Sequence, residues 1–197
     1  MTNFTTLSKV MLIDNQDSFT FNIVDLLRKF PSIDLHVRSS IDLDVSGLID
    51  FDALIISPGP MTPGDFPVLA QVLTFAEQTK KPLLGICLGH QAICSHFGAA
   101  LNQLEEVVHG QQHEIRISKN SKLFAGFPER IKVGLYHSWH VSTQDFPEKL
   151  YITSQSDQNV IMAVEHRSLP IFGIQFHPES FLTPQGKEIL TNFFAQV

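Results

Sequence analysis

Apolar residues in the first half of the chain come in short runs, each closed by a polar or Gly/Pro turn and followed by a stretch with helical spacing. Lys9-Val10-Met11-Leu12-Ile13-Asp14 reads as a strand, and Asn15-Gln16-Asp17-Ser18 offers capping side chains for a helix marked by Phe21, Val24, Leu27 and Phe30. Residues 35–38 read as the next strand. Residues 51–57 form a stronger one, stopped by Pro58-Gly59-Pro60. Helical spacing returns over 66–78, and Lys81-Pro82 then opens a strand that leads through Cys87 into a helix carrying Cys94. The second half changes character. Shorter candidate strands at 114–117, 131–135, 150–154, 160–165 and 171–175 are separated by polar turns, and a closing helix over 184–195 places Pro184 in its first turn.

Strands alternating with helices require long return paths, which parallel neighbours need and antiparallel ones do not. The pattern therefore predicts an α/β fold: a mostly parallel, doubly wound open sheet with helices on both faces, and an added antiparallel hairpin region from the second half. No repeat or linker interrupts it, so residues 1–197 are expected to form one domain. In such sheets ligands gather beyond the carboxyl ends of the strands. Three such ends carry unusual residues: Asn15-Gln16-Asp17-Ser18, Pro58-Gly59-Pro60 and Gly85-Ile86-Cys87-Leu88-Gly89.

Composition narrows the partners. With 43% hydrophobic and 17% charged residues, the chain can fill a two-sided core. A net charge of -6 without a Lys/Arg cluster argues against nucleic acid or an anionic membrane surface, and favours a small molecule or a protein. The opening MTNFTTLSKV lacks the pattern of a secretory leader, and no apolar run approaches the roughly 20 residues of a membrane span, so a cytoplasmic location is expected. Cys87 and Cys94 are too far apart along one helix for a disulfide, which predicts two free thiols.

A free cysteine is usually a small buried hydrophobe. Cys87 differs because Gly85 and Gly89 flank it as G-x-C-x-G, the thiol form of a nucleophile elbow. The helix starting at Leu88 adds partial positive charge that favours a thiolate. A nucleophilic thiol also needs a proton shuttle, an orienting group and oxyanion donors. Gly173-Ile174-Gln175-Phe176-His177-Pro178-Glu179-Ser180 offers His177 at a strand end and Glu179 two residues on; in extended backbone both face the same way. The backbone N–H groups of Leu88 and Gly59 can serve the oxyanion. Two rivals compete with this reading. Cys87, His90 and Cys94 have the i, i+3, i+7 spacing of a Cys/His metal-binding helix face, although structural zinc takes four ligands from more than one segment. A stand-alone thiol hydrolase, such as a γ-glutamyl peptidase, could use the same elbow.

GICLGHQ, FHPES and the upstream SPGP resemble the signature of the class I (triad) glutamine amidotransferases. LIDNQDSFTFN, His109-Gly110, Tyr136-His137-Ser138 and the tail through LTPQGKEILTNF resemble the small subunits of anthranilate synthase and aminodeoxychorismate synthase within that family. The resemblance implies a glutaminase with Cys87 as nucleophile, His177 as proton shuttle and Glu179 as its orienting carboxylate. It also implies that Gly59, Pro60 and Leu88 line the oxyanion side, that Gln91 helps hold glutamine and that the Ser138-Trp139 backbone takes its α-amino-acid end. Ammonia would pass to a chorismate-binding synthase large subunit, in tryptophan or folate precursor synthesis. No cofactor or metal is implied for this chain; a divalent metal such as Mg belongs to the partner. Met61 stands where the family usually has a glycine, Gln111-Gln112-His113 replace the usual residues after His109-Gly110, and Trp139 replaces a commoner leucine.

Overall fold

The computed structural model describes residues 7–197; the first six residues, on which part of the leader reading falls, lie outside them. Strands β1 (Ser8–Asp14), β2 (Ile33–Ser39), β3 (Ala53–Ile56) and β4 (Leu83–Ile86) alternate with helices α1 (Thr20–Leu27), α2 (Val68–Thr79) and α3 (Leu88–His96). Five further strands follow: β5 (Leu101–Ile117), β6 (Arg130–Val141), β7 (Leu150–Ser156), β8 (Ile161–His166) and β9 (Ile171–Ile174). Helix α4 (Gly186–Phe194) closes the chain. All nine strands share one sheet in the order β2-β1-β3-β4-β9-β8-β7-β5-β6. The first five in that order pair in parallel and the rest pair antiparallel. The division follows the two halves of the sequence except at β9, which comes from the half expected to be antiparallel and inserts in parallel beside β4.

The central strands are apolar throughout because both of their faces are covered. Val10, Leu12, Ile55, Leu84, Ile86, Phe172 and Ile174 pack on one side with Ile23 and Leu27 of α1 and with Ile189 and Phe193 of α4. Met11, Ile13, Leu54, Ile56, Leu83 and Ile171 pack on the other with Leu69, Val72 and Leu73 of α2 and with Ile93 of α3. Where α3 crosses β4 and β9, the sheet presents glycine. A Cβ on Gly85 would stand 2.4 Å from the Gly89 backbone, and one on Gly173 would stand 2.8 Å from His90 Nδ1. The helix sits on the sheet at a distance that no side chain allows.

Several elements differ from their sequence-based expectation. β5 runs over 17 residues where four were expected, because most of its first part is exposed and polar. Its register also shifts between Gln103 and Val108 and between His109 and Gln111, where Gly110 has φ +67°, so no strict alternation survives to be read. β6 likewise extends beyond 131–135. α1 ends at Leu27, and Phe30 instead packs edge-on against Phe194. Pro184 lies before α4, whose cap is Gln185, because the N–H of Gly186 turns back to the Thr183 carbonyl. Cys87 precedes α3 as its cap residue and does not share a helix with Cys94.

Candidate active site

Cys87 sits between the end of β4 and the start of α3 with φ +51° and ψ -99°, a backbone conformation that a residue with a Cβ adopts only under strain. Its N–H is held by the Ile174 carbonyl at 2.8 Å, and its own carbonyl receives Gln91 N–H at 3.0 Å. The parallel strand β9 and the first turn of α3 thus fix the elbow from both sides. Cys87 keeps 7% of its surface open to solvent. Cys94, also a free thiol, has none, and burial pushes its titration far up.

The chain returns to this point after β9. His177 N–H bonds to the Gly134 carbonyl on β6, and Thr183 Oγ1 donates to the His177 carbonyl at 2.7 Å while accepting from Gly134 N–H at 2.9 Å. His177 Nδ1 lies 2.6 Å from Glu179 Oε1, and the Glu179 side chain is wholly buried. The expected geometry differs here. Residues 175–180 are not extended strand, and a turn, not the strand pleat, brings Glu179 under the ring. Phe19 and Tyr136 pack on the imidazole at ring-centre distances of 5.0 and 4.9 Å and set its plane. Burial pulls the His177 pKa down, but the Cys87 sulfur and the Glu179 carboxylate outweigh it and hold the group at about 10. Nε2 has no partner at full hydrogen-bonding geometry and feels the Cys87 sulfur as its acceptor, an arrangement common in unliganded sites.

The oxyanion candidates also converge. A Cβ on Gly59 would fall 2.4 Å from Leu88 Cδ2 and 2.8 Å from Asn15 Cβ, so the Pro58-Gly59-Pro60 corner lies against the start of α3. Buried Asn15 and Ser57 anchor the corner: Asn15 N–H donates to Ser57 Oγ and Asn15 Nδ2 to the Ser57 carbonyl, each at 2.9 Å. Pro60 is exposed at the rim. Met61 is exposed with φ +67°, the left-handed region where glycine is unstrained, which accounts physically for the glycine expected at this position.

Gln91 is buried beneath the elbow. Its Nε2 donates to the Trp139 carbonyl at 3.0 Å and to Gln175 Oε1 at 3.1 Å, so both of its hydrogens are engaged and its oxygen is the group left for a ligand. The Trp139 carbonyl also receives His137 Nδ1 at 2.9 Å; with two donors already bound, it is filled. Gln175, which the sequence reading passed over, is fully buried and places Nε2 3.5 Å from Cys87 Sγ. A polar residue inside the apolar run Phe172–Phe176 was the available signal. Phe19, Tyr136, Asn15 and Ser57 stand within motifs that the sequence singles out but carry no site role there, since each acts only through contacts with a distant segment.

The i, i+3, i+7 metal reading finds no support in the geometry. Among the described residues no group of three His, Cys, Asp or Glu side chains is arranged to hold a metal ion. His90 is fully buried and packs against Gly173, and burial lowers its pKa to about 3. His137 is lowered to about 4 for the same reason. No helix of the described residues is long and apolar enough to cross a membrane.

A thiol on a strained elbow, an imidazole held as an imidazolium and a buried carboxylate together can attack an amide carbon and protonate its leaving nitrogen. Residues 11–197 match the family model described as glutamine amidotransferase class-I. A Haemophilus influenzae protein provisionally named anthranilate synthase component II is 44% identical over 95% of this chain and 96% of its own length. Aminodeoxychorismate synthase component 2 of Klebsiella aerogenes is 37% identical over 93% of this chain and 98% of its own. Among solved structures, a Thermoplasma acidophilum protein provisionally described as one subunit of a GMP synthase superposes with a TM-score of 0.85 at 27% identity, covering 96% of this chain and 93% of that one. The chain belongs to the class-I glutamine amidotransferase family.

Proposed function

We propose that this chain is the glutaminase component of a chorismate-using synthase, releasing ammonia from L-glutamine for a larger subunit that makes anthranilate or 4-amino-4-deoxychorismate. The observation that carries the reading is Cys87 at its positive-φ elbow acting on the His177 ring, whose Nδ1 lies 2.6 Å from buried Glu179, in a chain alike over nearly its whole length to proteins named as such components.

Sγ of Cys87 adds to the side-chain amide carbon of glutamine, and the carbonyl oxygen becomes an oxyanion facing the N–H groups of Leu88 and Gly59. His177, protonated at rest, gives its proton to the amide nitrogen as the C–N bond breaks, and ammonia leaves. The product is a γ-glutamyl thioester on Cys87. His177 then takes a proton from water, hydroxide adds to the thioester carbon, and glutamate departs as the sulfur is released. Glu179 holds the ring and offsets its positive charge throughout. The substrate's α-amino group is accepted by the free Gln91 oxygen, and the Ser138-Trp139 backbone lies beside it; the filled Trp139 carbonyl takes no part. Any divalent metal that the chorismate chemistry needs is assigned to the partner. Two unpaired cysteines suit a reducing cytoplasm.

The test reconstitutes the chain with a chorismate-binding large subunit. Cys87→Ser is expected to abolish glutamine-dependent product while free ammonia still supports formation. Glutamine-dependent turnover that survives the substitution refutes the assignment. Loss of both activities makes Cys87 a structural residue.

A further inference from the structure

Gln175 is fully buried, yet none of the roles above uses it. The orientation of its amide follows from the groups around it. The Trp139 carbonyl can only accept, so the Gln91 atom 3.0 Å away is nitrogen. That nitrogen lies 3.1 Å from Gln175, which must turn its oxygen toward it. The Gln175 nitrogen is then the atom left to face Cys87 Sγ, at 3.5 Å. His137 Nδ1 steadies the far end by donating to the same Trp139 carbonyl. The Trp139 carbonyl on β6 accepts from both His137 and Gln91 of α3, Gln91 donates in turn to Gln175 after β9, and Gln175 donates to the sulfur.

We infer that Gln175 is a catalytic hydrogen-bond donor to the Cys87 sulfur, held in register by Gln91. The inference rests on the reading of Cys87 as nucleophile. Cys87 keeps only 7% of its residue surface exposed, so an anionic sulfur there loses most of the water that would solvate it. Gln175 N–H replaces part of that solvation from a fixed position. A donor here favours the anionic sulfur over the thiol, and its effect fades once the sulfur is acylated, so it acts on the attacking sulfur and not on the thioester.

The experiment measures alkylation of Cys87 by iodoacetamide as a function of pH in the full chain, with the modified residue located by mass spectrometry. Cys94, sealed in the core, does not compete. Gln175→Met keeps the volume and removes the donor. Its alkylation rate at neutral pH is expected to fall about tenfold and to recover as the pH is raised, because a hydrogen bond to a charged group is lost. kcat for glutamine should fall with little change in KM. Gln91→Met, which leaves Gln175 in place but unclamped, should move the rate in the same direction by less, and supplies the readout if Gln175→Met does not fold. An unchanged neutral rate in the folded variant overturns the inference, as does a rate depressed equally at every pH, which marks a packing role. The assay uses no glutamine. Normal alkylation behaviour with no glutamine hydrolysis by the wild-type complex would overturn the glutaminase reading alone, and normal hydrolysis with an insensitive alkylation rate would overturn Gln175 alone.

Discussion

The carboxylate of Glu179, closed to solvent and 2.6 Å from His177 Nδ1, decides where the proton rests in this site. A buried imidazole ordinarily sheds its proton, as His90 and His137 do here. His177 keeps it because one ring nitrogen faces a carboxylate and the other faces sulfur. Under the proposed mechanism, this resting proton is the one that His177 gives to the leaving ammonia. Glu179→Gln removes the charge and keeps the shape. The His177 pKa is then expected to fall, so the loss of activity on the alkaline side begins at lower pH than in the wild type. kcat for glutamine should drop roughly 100-fold or more, within the range that a positioned acid–base group supplies. An unshifted alkaline limb in the pH–rate profile would mean that the carboxylate does not set the proton on His177.

At the scale of elements, the site depends on how closely α3 rides on β4 and β9. Gly85 and Gly89 meet back to back, with Ile56 on the far side of Gly89. Gly85→Ala would drive a methyl group to 2.4 Å from backbone that cannot rotate away. Overpacking of this kind costs about 1–3 kcal/mol, occasionally more. Because Cys87 caps the displaced helix, kcat should fall along with the urea midpoint. A variant with wild-type midpoint and activity would show that the helix can lift without penalty. The same elements explain what the sequence discloses. β1, β3 and β4 are legible as apolar runs because both faces are buried, and the elbow is legible because its glycines are local to Cys87. β5 is not legible, since an exposed ribbon with two register shifts needs no hydrophobic alternation. The His177–Glu179 pair was anticipated through the wrong geometry, a pleat in place of a turn, and held because either brings residues two apart to one side. Gln175 was invisible for a stricter reason. Its contacts lie 88 residues away at Cys87 and 84 away at Gln91, and exist only once β9 has docked beside β4.

For the whole molecule, the buried histidines tie stability to pH with opposite signs. His90 and His137 have folded pKa values of about 3 and about 4, below the ordinary 6.5, so the unfolded chain binds protons that the native chain refuses. Their stabilising effect is complete above about pH 6.5 and is lost as pH falls toward those folded values, approaching about 1.4 kcal/mol per pH unit for each. His177 runs the other way. Its raised value stabilises the fold below pH 6.5 by a constant amount, and that contribution disappears only as pH climbs toward 10. Between pH 6.5 and 4.5, His90 and His137 therefore contribute most of the slope, and His166, lowered by partial burial, adds in the same direction. Urea denaturation across that window is expected to show stability falling by about 4–5 kcal/mol. His90→Asn should remove about half of that slope whatever it does to the absolute stability, a ratio that a mere packing loss does not change. A slope identical to that of the wild type would mean that His90 accepts a proton in the folded protein, and the dry, neutral layer under α3 that supports the elbow would have to be redrawn.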